Sequence, residues 1–163
     1  MKKYILDQVT IARKLERIAY EIVENNLGES ELVLVGIKDN GSVIASVIQG
    51  LLKQIHPFQT KLVHLAIDKK NPGPIELSEH YDLKDKVVIL IDDVANSGKT
   101  MLYALKPLLE AYPRKIQTVA LVERTHKAYP VKTDYVGMSL ATTLQNHIFV
   151  EVEGDKVTGA YME

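Results

Sequence analysis

Cysteine is absent from this sequence of 163 residues, which excludes a disulfide framework, a thiolate metal site and a cysteine nucleophile. That absence fits a reducing compartment. No apolar run approaches the length of a membrane span. The opening Met1-Lys2-Lys3-Tyr4-Ile5-Leu6-Asp7 lacks the apolar stretch of a signal peptide, so a cytoplasmic location is the expectation. An excess of charge of one sign is also missing. Lys and Arg number 20 against 21 Asp and Glu, a net charge of −1, which argues against a chain built mainly to coat nucleic acid. His56, His64, His80, His126 and His147 show neither H-x-x-x-H nor H-x-x-E-H spacing, so no zinc pattern is present.

What is there is a chain that is 46% hydrophobic and 25% charged, ordinary values for one globular domain spanning 1–163. Ile11, Leu15, Ile18, Ile22 and Val23 recur at helical spacing, predicting an amphipathic helix that ends near Leu27-Gly28, with Gly28 as its C′ residue. Glu31 to Ile37, Lys61 to Ile67, Lys86 to Ile91 and Ile116 to Val122 are short apolar runs, the mark of strands covered on both faces. Helical patterns lie between them, at Val43 to Ile55 and at Met101, Leu102, Leu105, Leu108 and Leu109. Shorter strand pieces follow around Tyr135-Val136 and Ile148-Phe149-Val150. Alternation of this kind predicts an α/β fold with a mostly parallel sheet, whose ligands bind at the carboxyl ends of the strands. From Asp68 to Asp85 the pattern breaks down at Lys69, Lys70, Asn71, Pro72, Gly73 and Pro74; long irregular segments in compact domains are usually functional or disordered.

The chemistry concentrates where the most apolar strand runs into Asp92-Asp93-Val94-Ala95-Asn96-Ser97-Gly98-Lys99-Thr100 and the next helix begins. Small residues admit a ligand close to the backbone, and the amides of a helix N-terminus favour an anion such as phosphate. A triphosphate P-loop would need glycine at Asp93, and two adjacent carboxylates would repel a triphosphate. They suit ribose hydroxyls or Mg²⁺. The competing reading, a solvated strand end followed by an ordinary turn, is weakened by the position at the sheet's ligand-binding edge.

Val88 to Thr100 closely resembles the phosphoribosyl pyrophosphate (PRPP) signature of type I phosphoribosyltransferases. The resemblance implies that fold, with a small hood made from about 1–7 and 123–155, a flexible lid at about 68–81, and Mg²⁺ as cofactor held through Asp92, Asp93 and PRPP. Asp92 and Asp93 would address the ribose hydroxyls. Ala95, Asn96, Ser97, Gly98, Lys99 and Thr100 would wrap the 5′-phosphate. Gly36, Ile37, Lys38, Asp39, Asn40 and Gly41 would form the pyrophosphate loop, where the family often has a non-proline cis peptide, with Lys38 holding the leaving group beside the catalytic pair. Lys69 and Lys70 of the lid would reach the same pyrophosphate, although a charged surface loop explains them equally well.

Leu121 to His126 and Asp134 to Gly137 are similar to one branch of the family, the pyrimidine-operon attenuator proteins that also act as uracil phosphoribosyltransferases. Arg124, His126, Tyr135 and Ile148 would line the base side. Two positions depart from expectation. Asn96 stands where the 6-oxopurine branch has a proton-handling aspartate, a task an amide cannot perform, and the uracil branch commonly has an aromatic residue there. Ala141 to Asn146 lacks a basic, serine-rich turn. The implied partners are PRPP and a nucleobase or nucleoside monophosphate, with a homodimer or higher homo-oligomer. RNA is a less favoured partner, because Arg13, Lys14, Arg17, Lys53, Lys115 and Lys127 are interleaved with acids.

Overall fold

The computed structural model describes residues 1–163 except Lys69, Pro72, Pro74 and residues 142–145. Its first helix shows how the sequence pattern becomes structure. β1 (Lys3–Asp7) leads into α1 (Gln8–Glu24). Asp7 starts the helix by accepting from the Thr10 N–H at 2.8 Å, and that bond holds its carboxyl below the ordinary aspartate value. Ile11, Leu15, Ile18, Ala19, Ile22 and Val23 form the buried stripe.

The helix ends at Glu24, short of Gly28. Asn25 donates from its backbone and its side chain to Glu21 O, and Asn26 Nδ2 donates to Ile22 O at 2.8 Å. Two asparagines thus satisfy the last-turn carbonyls, and Gly28 is not needed as a C′ residue. Its φ is not positive.

The central sheet contains β2 (Glu31–Ile37), β3 (Gln59–Ala66), β4 (Glu76–Leu77), β5 (Val87–Ala95), β6 (Lys115–Arg124) and β7 (Tyr135–Leu140). Their order is β4-β3-β2-β5-β6-β7, parallel throughout except for β4. α2 (Asn40–Ile55) and α3 (Lys99–Glu110) make the crossovers. Alternate residues of each strand face opposite layers. Leu32, Leu34, Ile89 and Ile91 pack towards α1 and α2, whereas Val33, Val35, Val88 and Leu90 pack towards α3. Both faces are covered, which is why the runs read as continuously apolar. On α3 the buried residues are Met101, Ala104 and Leu108; Leu109, expected on the apolar face, is 60% exposed.

A second, antiparallel sheet of order β1-β9-β8 joins the N-terminal strand to β8 (Ile148–Glu153) and β9 (Lys156–Met162). Ile148, Val150, Val157 and Ala160 sit in the same core cluster as α1 and α2. The hood expectation is corrected at one strand: β7 pairs with β6 in the large sheet. β9, which local pattern had not singled out, completes the small one. No described helix is long and apolar enough to cross a membrane.

Candidate functional site

β2 and β5 are parallel neighbours, so their carboxyl ends deliver two loops to one place. β5 extends beyond the expected end at Ile91, because pairing with β6 continues through Asp92↔Ala120, Val94↔Val122 and Ala95↔Glu123. The acidic pair therefore belongs to a rigid strand. Asp92 is 2% exposed and Asp93 8%. Asp92 Oδ1 accepts from the Asp93 N–H at 2.8 Å, and Asp93 Oδ1 from the Val94 N–H at 2.8 Å.

After β5 the chain turns through Ser97 to Gly98, which lies in the left-handed region at φ 82° and caps α3. A Cβ on Gly98 would come within 2.7 Å of Val131 Cγ1 and 3.2 Å of Tyr129 O. Conformation and close approach both require glycine there. Tyr129 N–H donates to Ser97 O at 3.0 Å, and Ser97 Oγ accepts from the Lys99 N–H at 3.2 Å. A hollow of about 80 Å³ results, lined by Asp92 and by Val94, Ala95, Asn96, Ser97, Gly98, Lys99, Thr100 and Met101. The helix N-terminus opens into the same turn, the arrangement that favours an anion.

The second loop follows β2. The Lys38–Asp39 peptide is cis, as the resemblance implied. Lys38 N–H donates to Leu65 O at 2.9 Å, and the Lys38 side chain is exposed. Ile37 is fully buried in the core, so it offers a ligand its backbone only. Gly41 begins α2 hard against the acidic strand: a Cβ there would meet Ile91 O at 2.7 Å and Asp92 Cα at 3.0 Å. Gly36 is constrained likewise, its Cβ position lying 2.7 Å from Ser42 Cα. Asn40 Nδ2 donates to Asp93 Oδ2 at 3.1 Å and to Val150 O at 2.9 Å, linking the loop, the acidic strand and the small sheet.

Beside the phosphate-type turn lies another pocket, of about 150 Å³, lined by Asn96, Ser97, Arg124, His126, Ala128 and His147. Arg124, 4% exposed, donates to Asn96 Oδ1 at 3.4 Å and to Asn146 O. The structure thus brings Arg124 and His126 to one pocket and adds His147, which sequence spacing could not associate with them because it arrives with the chain just ahead of β8. Two expected base-side residues are elsewhere. Tyr135 starts β7 in register with Val119, level with Ile91, and is 3% exposed. Ile148 is buried in the core beneath the small sheet. Burial in the core cluster beneath α1 keeps the Tyr135 ring from a ligand at the carboxyl edge. Phe149 stacks on Tyr161, centroids 5.3 Å apart. Lys69 and residues 142–145 lie outside the described residues; Lys70 donates its backbone N–H to Asp68 Oδ1 at 3.0 Å.

Among the described residues no cluster of three or more His, Cys, Asp and Glu could enclose a metal. Two adjacent carboxylates fit a different role. Mg²⁺ is commonly held by one or two carboxylates together with substrate oxygens, and each carboxylate oxygen has two acceptor sites.

These features agree with the comparisons. The phosphoribosyl transferase domain model matches residues 2–156. The Bifunctional protein pyrR of Enterococcus faecalis is 37% identical over 161 residues, covering 93% of this chain and 90% of the relative. That of Clostridium acetobutylicum is 37% identical over 164 residues, covering 94% and 92%. In three dimensions the hypoxanthine phosphoribosyltransferase of Trypanosoma cruzi superposes with a TM-score of 0.80 at 15% identity, covering 99% and 97% of the two chains. With its acidic strand end, its glycine-capped anion turn and a family match over nearly its whole length, the chain belongs to the phosphoribosyl transferase domain family.

Proposed function

We propose that the protein transfers 5-phosphoribose from PRPP to a nucleobase, with uracil as the first candidate, and releases pyrophosphate in a Mg²⁺-dependent reaction. The observation that carries this reading is the Asp92-Asp93 pair at the end of β5, flanked by the 95–100 turn and joined through Asn40 to the 36–41 loop. Uracil is put first because the chain resembles the pyrimidine branch and is 36–37% identical to PyrR proteins over most of its length.

In this mechanism the C1′–O bond to pyrophosphate breaks and a C1′–N bond to the base forms. The 95–100 turn holds the 5′-phosphate, and Asp92 and Asp93 orient the ribose hydroxyls and hold Mg²⁺. Held there, Mg²⁺ would supply positive charge to offset that developing on the departing pyrophosphate. Lys38 and the amides of residues 36–41 face that leaving group, so catalysis is positional and electrostatic. The segment at 68–81 acts as a lid that keeps water from the oxocarbenium-like centre. Arg124, His126 and His147 border the base, and Asn96, an amide, binds without acting as a base. The enzyme works in the cytoplasm as a homo-oligomer.

A regulatory RNA-binding role, the other activity of the branch it resembles, is the second reading. The interleaved charges disfavour it: Arg17 donates to Val136 O and Gly137 O at 3.0 and 2.9 Å and pairs with Glu21, so this cation of α1 is already engaged. A salt-dependent gel shift with a pyrimidine leader transcript tests that role.

Pyrophosphate release from PRPP and Mg²⁺ is to be followed with uracil, hypoxanthine, guanine, xanthine, adenine and orotate. The expected result is base-dependent release, greatest with uracil, that collapses in Asp93→Asn. Silence with every base at high enzyme concentration would overturn the transferase reading.

A further inference from the structure

We propose that His64 is a positioning residue that couples the stem of the 68–81 segment to the 36–41 loop and so sets the affinity for Mg²⁺-PRPP; this rests on the phosphoribosyl-transfer reading. His64 sits on β3 in register with Gly36 of β2. Its Nδ1 is 2.8 Å from Ser42 Oγ, and Ser42 Oγ is 3.2 Å from Gly36 O. A carbonyl only accepts, so the one hydroxyl proton of Ser42 is directed at Gly36. The proton of the other bond must then come from the ring. His64 Nδ1–H donates to Ser42 Oγ, which donates to Gly36 O, at the residue where β2 gives way to the loop.

The neighbourhood leaves this chain little freedom. Ser42 Cα already crowds Gly36, and Ser42 N–H donates to Asp39 O at 3.2 Å, on the far side of the cis Lys38–Asp39 peptide. The next residue on β3 assists, since Leu65 O accepts from the Lys38 N–H at 2.9 Å. The backbone of His64 meanwhile holds the other segment. Its N–H donates to Ser78 Oγ at 3.0 Å and its carbonyl accepts from the Ser78 N–H at 2.7 Å. Leu65 and Ala66 pair with Leu77 and Glu76 of β4. One residue therefore touches the ribbon through its backbone and the loop through its imidazole. The hydrophobic core requires neither contact: the β3 residues buried in it are Val63 and Leu65, on the other face of the strand.

Two ligands separate this role from general stability. PRPP carries a pyrophosphate that reaches the 36–41 loop. Uridine monophosphate shares the 5′-phosphate and ribose but carries a base at C1′ in place of the pyrophosphate. Both are titrated calorimetrically, with Mg²⁺, into wild type, His64→Phe, His64→Asn and Ser42→Ala. His64→Phe keeps the ring volume and loses the donor, whereas the amide of His64→Asn places an N–H near the position of Nδ1. His64→Phe and Ser42→Ala are expected to weaken PRPP about 3- to 10-fold, the worth of one hydrogen bond, and to leave uridine monophosphate within about twofold. His64→Asn is expected to recover wild-type PRPP affinity. Unchanged PRPP affinity in both His64→Phe and Ser42→Ala would overturn the role of His64, as would equal weakening of the two ligands or failure of His64→Asn to rescue. Wild type that binds neither ligand would overturn the phosphoribosyl reading itself, a result distinct from an indifferent variant. If His64→Phe does not fold, Ser42→Ala carries the test alone.

Discussion

Single residues in this protein are set by what surrounds them more than by their type. Tyr135 is a case outside the site. Burial, followed by the neighbouring Asp134 carboxylate, pushes its phenol up to about 12 from an ordinary 10.0. Below pH 10 the group is protonated in folded and unfolded chains alike and exerts no pH effect. Above it the unfolded chain ionises while the fold keeps the proton, so stability falls between about pH 10 and 12 and then levels off. The loss through this group amounts to roughly 2 kcal/mol across that window. Denaturant melts of wild type and Tyr135→Phe over this range check it, the variant showing the shallower decline. The same burial explains why Tyr135 was misplaced when read from sequence. An aromatic near a family-like motif looks available to a base until the fold shows its ring buried in the core cluster with α1.

Elements meet at glycines, and the position of each meeting decides what its loss would do. Gly41 brings the first turn of α2 against Ile91 O and Asp92. Gly137 lets β7 lie against β6, where a Cβ would run into Leu121 O. Either substitution by alanine overpacks the fold at a cost of about 1–3 kcal/mol, a fall in melting temperature of about 3–10 °C. Their functional effects should differ. Gly41→Ala pushes α2 away from the acidic pair and is expected to raise KM for PRPP about tenfold or more, whereas Gly137→Ala should leave KM within about twofold. Thermal melts and initial-rate kinetics on both variants make the comparison. Equal kinetic damage in the two would refute the assigned position of Gly41. Element type was legible for α2, β2, β3 and β6 because periodicity and apolar runs are local properties. Element ends were not. α1 stops at Glu24 through asparagine side chains, and β5 runs on to Ala95 because β6 is there to pair with it.

At the scale of the whole molecule, two sheets are held in one arrangement by a shared core and by Asn40. Its amide reaches Asp93 on the large sheet and Val150 on the small one. Asn40→Ala removes both bonds and is expected to cost about 1–3 kcal/mol. Asn40→Asp should be worse, since it sets a carboxylate against Asp93 and offers Val150 O no donor; the gap between the two variants should narrow with added salt, which screens repulsion between carboxylates. Denaturant melts at low and high ionic strength test this. If the two variants are equally stable at low salt, Asn40 does not face Asp93 in solution.

The sequence by itself determined the α/β class, the acidic strand end and the glycine-capped anion turn, because each is a contiguous pattern with a physical meaning of its own: a buried run, two adjacent carboxylates, a turn that only glycine permits. Tertiary structure alone decided what depends on elements distant in the chain. It placed His147 beside Arg124 and His126, moved Tyr135 and Ile148 away from the base side, put β7 in the large sheet, and joined Ser42, His64 and Ser78 in one chain of hydrogen bonds. No local pattern encodes these, because strand order and register arise only when the faces of separate elements are buried together.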